Sequence, residues 1–265
     1  MFASVRIPPI ADIAEVRQAG GGLVGDCMRG MIEGAAVALL LLSACGNAQS
    51  SDTIVPALER LAAKNNPEAI YHLGMAYQTG TGVSKSPTKA FEAFRRASAL
   101  GSALASYKVG CFYAGQEGET VKPDPELALR YKLVAARAGY ALAQQDVAAL
   151  YAQQGDIPTA LSWLEQGVAQ GWSGALSTYA SVHNGAPGVE PDPVKTAAYF
   201  KLFLQRTDAS EKQRAWLADF EAKLSPEQRR AADTIVRSYR ASPTPLTIKA
   251  LSGQKAAIDL VTDQR

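Results

Sequence analysis

The sequence predicts an all-α fold: a right-handed α-solenoid of stacked antiparallel helix pairs with a capping helix at its start and two more at its end. Three observations carry that reading. First, a pattern of small and apolar residues returns four times. Ala69, Ala105, Ala143 and Ala175 align at spacings of 36, 38 and 32 residues; Gly74, Gly110, Ala148 and Ala180 follow five residues on, and Tyr77, Tyr113, Tyr151 and His183 eight residues on. A repeat length in this range is the mark of a stacked architecture. Second, a further landmark returns with it: Ala90, Ala128, Ala160 and Ala197, then Ala93, Tyr131, Trp163 and Phe200 three later, and Ala97, Ala135, Gly167 and Leu204 seven later. Offsets of three, four and seven stay on one helix face. Third, the punctuation agrees. Asn66-Pro67, Ser86-Pro87, Asp124-Pro125 and Asp192-Pro193 each pair a capping side chain with a proline at the first helical position, and Gly101, Gly139 and Gly171 supply left-handed stops.

Taken in chain order, residues 1–27 mix Arg6 and Arg17 with Asp12, Glu15 and Asp26 and hold Gly20-Gly21-Gly22, an unusual leader for an exported chain. Met28-Arg29-Gly30-Met31 makes a compact basic start, so Met28 is the expected first residue of the working protein and 1–27 a leader outside it. Residues 34–44 are uncharged, and the apolar core Ala35–Leu42 is too short to span a bilayer, which takes about 20 residues. It suits the apolar region of a signal peptide over 28–44. Its end, Leu42-Ser43-Ala44-Cys45, resembles a bacterial lipobox. The resemblance implies acylation of Cys45 and loss of everything before it. Gly46, where an Asp would favour retention in the inner membrane, resembles outer-membrane sorting, which places the protein on the periplasmic face of that membrane. Residues 45–51 then form a tether.

Residues 52–240 read as one α-solenoid domain. Ile54, Leu58, Leu61 and Ala62 share a face of a first capping helix over 52–64. Repeats follow at about 66–101, 102–139, 140–171 and 172–208. Capping helices follow from Ser210 and from Ser225, with Arg229, Arg230, Arg237 and Arg240 on a solvated face. Residues 241–265, with Pro243 and Pro245 and weak periodicity, are expected to be largely disordered apart from a short helix near 254–261.

Gly inside a helix costs about 0.5–1 kcal/mol against Ala. Finding Gly74 and Gly110 at one phase, with Ala in the other copies, predicts a close helix–helix approach there. Ile70-x-x-Leu73-Gly74-x-x-Tyr77 followed by Ala90-x-x-x-Phe94 resembles the tetratricopeptide pattern, and the variable repeat length with the Gly80-Thr81-Gly82-Val83 turn is closer to Sel-one-like repeats. Val121 and Pro187-Gly188-Val189 echo that turn; Gly155-Asp156-Ile157 in the third copy turns directly, like a plain tetratricopeptide unit. The resemblance covers about 66–206 and implies a scaffold that binds proteins.

Composition narrows the function. With 27 Lys and Arg against 25 Asp and Glu, a net charge of +2, there is no basic footprint for nucleic acid. At 47% hydrophobic residues the chain is not globally disordered, and three Cys make no disulfide framework. His72 and His183 fall at different repeat phases; His183 takes the packing place of the tyrosines, and His72 is read as solvent-exposed. With one downstream thiol, Cys111, read as buried or groove-lining, no cofactor, no metal site and no catalytic cluster are expected, and the protein is read as a non-enzyme. Some cysteine-rich Sel-one-like proteins bind or hydrolyse β-lactams, but those carry paired Cys in each repeat, which this chain lacks.

Binding is the class left. The first helix of each pair should line the concave side. Projected from the repeat, that surface holds Tyr71, Met75 and Gln78, then Tyr107 and Cys111, then Gln145 and Gln153, then Ser177 and Ser181. It is polar, aromatic and nearly neutral. The expected partners are other proteins or peptide segments, among them cell-envelope assembly components. The alternative is a cell-wall or exported polysaccharide stacked on Trp172 and neighbouring tyrosines.

Overall fold

The computed structural model describes residues 51–263, and Cys45 with the apolar run before it lies outside them. Among the described residues thirteen α-helices and one short 3-10 turn account for the regular structure. They divide into two compact units, where the sequence predicted one continuous domain.

The first unit is built from residues 51–140 and 245–263. It contains α1 (Ser51–Ala63), the hairpin α2 (Pro67–Thr79) and α3 (Pro87–Ala99), the hairpin α4 (Ala103–Tyr113) and α5 (Pro125–Arg137), and two C-terminal helices, α12 (Pro245–Ser252) and α13 (Gln254–Thr262). The second unit, Ala141–Thr244, contains the hairpin α6 (Ala141–Gln153) and α7 (Ile157–Ala169), the hairpin α8 (Ser173–His183) and α9 (Pro193–Leu204), then α10 (Glu211–Ala222) and α11 (Pro226–Ser238). In both units α-helices pack pairwise through the first-to-second helix contact of each repeat.

The helix starts are built as their sequences demand. Asn66 Oδ1 accepts from the backbone N–H of Glu68 at 3.0 Å and of Ala69 at 2.9 Å. Asp124 does the same for Glu126 and Leu127, and Asp192 for Val194 and Lys195. Pro67, Pro125 and Pro193 follow these caps at positions whose N–H would have no partner. At the helix ends, Gly139 at φ 91° lets Tyr140 N–H return to Ala135 O at 3.0 Å, and Ser102 and Trp172 make the same bond to Ala97 and Gly167.

One turn bond recurs through all four repeats. The carbonyls of Tyr77, Tyr113, Tyr151 and His183 accept the N–H of the next helix's cap, Ser86, Asp124, Asp156 and Asp192, at 2.8, 2.8, 3.0 and 2.8 Å. The number of residues in the turn varies, but the closure does not. Repeat length can therefore drift without disturbing how the two helices meet, and this backbone role does not depend on the side chain, so His183 can stand where the other copies have Tyr.

The predicted close approach is present. A Cβ added at Gly74 would lie 2.6 Å from Phe94 Cε1, and one at Gly110 would lie 2.7 Å from Lys132 Cγ and 3.1 Å from Ala128 O. Phe94 is fully buried with Ile70, Leu58, Val109 and Phe112 around the first unit's core. In the second unit Leu164, Val168, Leu176 and Leu202 form one cluster, and Ala197, Ala198, Leu224 and Ala232 another under α11. Capping boxes Ser210/Gln213 and Ser225/Gln228 open α10 and α11. Lys201 sits between Glu221 at 2.7 Å and Asp233 at 2.9 Å. Burial works against its charge, but the two carboxylates hold its pKa above the ordinary value.

The stretch 241–265 departs from expectation. Over its described residues it is not largely disordered: Pro245–Ser252 and Gln254–Thr262 are helical and pack back on the rest of the first unit. Thr247 Oγ1 donates to Gly139 O at 3.1 Å, Lys249 Nζ reaches Glu68 Oε2 at 2.7 Å, and Ala250 and Ala257 are buried. Its buried face is made of alanine and threonine, so it gives little hydrophobic contrast to read along the chain.

Candidate binding surface

The residues expected to line a concave face do not all reach one. Tyr71 and Tyr107 are 6% and 3% exposed, and Gln78 and Cys111 are buried as well. For Tyr107 and Cys111 the reason is local: α4 is buried at every position from Leu104 to Phe112, so it has no free face to offer. Tyr107 packs edge-on against Tyr140, ring centroids 5.1 Å apart, with Lys132 Nζ 5.5 Å above its ring. Tyr71 meets His72 and Phe94 at 5.2 and 5.8 Å. Gln78 is buried with neither amide atom hydrogen-bonded.

In the second unit, Gln145 is half-buried and accepts the Trp172 indole N–H at 2.8 Å. Gly174 makes room for it, since a Cβ there would fall 2.3 Å from Gln145 Oε1. The polar edge of Trp172 is thus committed inside the protein, and its ring packs on the Leu176 cluster. Gln153 is exposed. Ser177 and Ser181 are half-buried, and their hydroxyls bond back to the carbonyls of Gly174 and Ser177. Of the predicted lining, then, Gln153 is open to solvent, Ser177 and Ser181 partly so, and Met75 partly so in the first unit.

Met75 and Tyr71 do come together, in a cavity of about 520 Å³ that α2 shares with α1 and the C-terminal helices. Ile54, Val55 and Leu58 of α1 form one wall. His72, expected in solvent, is instead 8% exposed and lines the same space, because α12 and α13 cover that side of α2. Glu68 stands at its edge beside Lys249. The His72 Nε2 lies 3.9 Å from Glu68 Oε1, too far for a hydrogen bond, so the 2.7 Å contact to Lys249 is the formed ion pair. His72 and Lys249 together hold the Glu68 carboxyl down to about 2, against the opposing effect of its partial burial. Glu68, His72 and Lys249 were not singled out from sequence as site residues; the i, i+4 spacing of Glu68 and His72 was the one local signal of a shared face.

His183 is 7% exposed with neither ring nitrogen hydrogen-bonded, and its ring stands edge-on to Tyr179 at 4.5 Å. Burial lowers its pKa and Lys195 lowers it further, while Asp192 and Glu165 oppose. Burial and the Glu165 carboxylate push the Tyr179 hydroxyl up, so it stays neutral beside the imidazole. A histidine whose folded value is depressed takes up a proton more readily when unfolded. Stability is therefore full above the ordinary value of 6.5 and falls as pH drops below it. Urea denaturation at pH 7.5 and pH 5 should show the wild type losing stability in acid, and His183→Tyr, which restores the residue of the other copies, losing markedly less.

Comparison with known proteins fits this architecture. The Sel1 repeat pattern matches residues 67–102, 103–140 and 178–206. The first two ranges are the α2–α3 and α4–α5 hairpins; the third takes in most of α8 and all of α9. The α6–α7 hairpin, which turns without the Gly-rich loop, lies outside the matched ranges but keeps the shared turn bond. No curated protein matches the chain. Among solved structures, a Sel1 repeat protein from Oxalobacter formigenes superposes with a TM-score of 0.59 at 22% identity, over 72% of this chain and 81% of that one. A protective antigen present in uropathogenic Escherichia coli strains, displaying an SLR fold, superposes with a TM-score of 0.60 at 20% identity, over 78% of this chain and 43% of the antigen. At these identities the likeness is one of fold. Repeat pattern, turn closure and helix pairing agree: the chain carries Sel1 repeats over 67–102, 103–140 and 178–206 in an all-helical repeat fold.

Proposed function

We propose that the protein is a lipid-anchored adaptor on the periplasmic face of the outer membrane, which holds protein partners on its repeats and catalyses nothing itself. The observation that carries the binding reading is the polar surface left on the first helices of the second unit: Gln153 on α6 is exposed, and Ser177 and Ser181 on α8 are partly so. A neutral strip of this kind suits protein segments held by hydrogen bonds and shape better than a polyanion. The anchor rests on Leu42-Ser43-Ala44-Cys45 at the end of an apolar run, and the outer-membrane address on Gly46.

Two measurements test the parts separately. Palmitate labelling should mark the wild-type chain and not Cys45→Ala; equal labelling removes the anchor. Affinity capture from detergent-solubilised envelope should recover a defined partner, and Gln153→Arg with Ser181→Arg should reduce that recovery at least several-fold without lowering the melting temperature. Recovery of no partner, or recovery unchanged by the two substitutions, contradicts the adaptor reading. Tyr71 and Tyr107, being core residues, are unsuitable for such a test, since a charge at either would unfold the unit.

A further inference from the structure

The C-terminal helices cover the face of α1 and α2 without filling it. The cavity left between them, about 520 Å³, falls within the roughly 300–1,000 Å³ of ordinary ligand pockets. Its roof is made largely of small groups, Ala250, Ser252, Gly253, Ala256 and Ala257; Leu251 also lines it but is 56% exposed, and Ile248 of the same helix is 55% exposed. The tail also cannot lie there as one helix. Gly253 at φ 52° breaks it into pieces of 8 and 9 residues, and helices that short have little stability of their own.

The opposite side is built more firmly. Ile54, Val55 and Leu58 present an apolar wall, and Tyr71 is fixed against Phe94. Two polar features mark the site as a receiver. Glu68 offers a fixed negative charge at the rim, paired at 2.7 Å with Lys249, whose side chain is 44% exposed. His72, more than nine-tenths buried, lines the cavity with its Nε2 lacking a hydrogen bond.

We propose that this face of α1 and α2 is a helix-binding site whose partner is an unbroken protein helix. That helix sets a Lys or Arg against Glu68 and fills the cavity with large apolar side chains where the tail offers Ala250 and Ala257. The chain's own α12 and α13 are the resident, weaker occupant, which such a helix displaces. Positions seven apart lie on one face of a continuous helix, so one partner face supplies both anchors. The inference rests on the protein-holding reading above and names the chemistry of one partner and the device that keeps its site closed.

The test uses the full chain and, as probe, a fluorescein-labelled synthetic peptide of residues 245–263. In the chain, Lys249→Glu sets two carboxylates face to face and loosens the resident tail. That variant should bind the unaltered peptide at least tenfold more tightly than the wild-type chain does, by anisotropy. Adding Glu68→Lys to it should restore the closed tail and refuse the peptide. A peptide carrying Ala250→Leu and Ala257→Leu should bind the Lys249→Glu chain at least tenfold more tightly than the unaltered peptide. Equal affinity for wild-type and Lys249→Glu chains, no binding to either, or no gain from the two leucines overturns the proposal. Should Lys249→Glu fail to fold, the wild-type chain decides: saturating leucine-substituted peptide should speed amide exchange in 245–262 and leave α3 unchanged, and unaltered exchange overturns it. A concentration-dependent dimer of the wild-type chain, broken by Lys249→Glu, would put a second copy's tail in the site and overturn the assignment to a foreign helix. The titration needs no envelope partner, so its failure leaves the adaptor reading standing, and failure of envelope capture leaves the titration standing.

Discussion

Phe94→Ala is expected to lower the unfolding free energy by about 3–5 kcal/mol, the largest effect of any single truncation in the first unit. Phe94 is fully buried, and its ring lies between Tyr71 at 5.8 Å and Phe112 at 6.3 Å. It also occupies the space that Gly74 leaves open, within 2.6 Å of where a Cβ would sit. Cutting it to the Cβ removes the apolar contact and leaves a void facing a residue with no side chain to move into it. Packing on both sides is by rings, which cannot collapse to close the gap. Chemical denaturation followed by circular dichroism measures the loss; a change under about 1 kcal/mol would mean that the α2–α3 contact is looser than described.

Gly110→Leu should be similarly damaging for the opposite reason. The added side chain would start 2.7 Å from Lys132 Cγ, 3.1 Å from Ala128 O and 3.2 Å from Lys132 N. Two of these are backbone atoms of α5, so the helices must part, and Lys132, which is 3% exposed, has no solvent to swing into. Overpacking of this kind costs about 1–3 kcal/mol even where a core can shift, and here the upper end or beyond is expected. Gly101 makes the control. It has positive φ, 94°, but nothing within 4 Å of an added Cβ. Gly101→Ala should therefore cost only the left-handed strain, about 1–2 kcal/mol. Near-equal losses at the two positions would contradict the close-approach reading of Gly110.

What could be read from the chain alone follows the range of each interaction. Caps such as Asp124-Pro125 and stops such as Gly139 act within a few residues, so their sequence is their structure. The close approach at Gly74 and Gly110 was legible through repetition at one phase. The groove was less so, because amphipathic periodicity assigns a helix one inner face and one outer face. α4 has neither: it is buried from Leu104 to Phe112, Lys108 included. The tail was illegible because its contacts are remote. Thr247 meets Gly139 across 108 residues, and Lys249 meets Glu68 from opposite ends of the described chain. His72 followed the tail: on α2 alone it would face water, and it is buried by α12 and α13, which the sequence did not place there.

The same comparison changes where partner binding should be sought. Tyr71, Gln78, Tyr107 and Cys111 belong to the interior, and Gln145 is engaged with Trp172. The accessible strip of α6 and α8 remains, together with the partly filled seat beneath the tail. Site-specific photo-crosslinking in cells tests the adaptor account most directly. A photoreactive residue at Gln153 or Ser181 should capture the same discrete protein, while one at Ser162, exposed on the second helix α7, should capture none. Capture of that protein equally from Ser162, or of nothing from Gln153 and Ser181, would contradict the claim that the first helices of the repeats hold the partner.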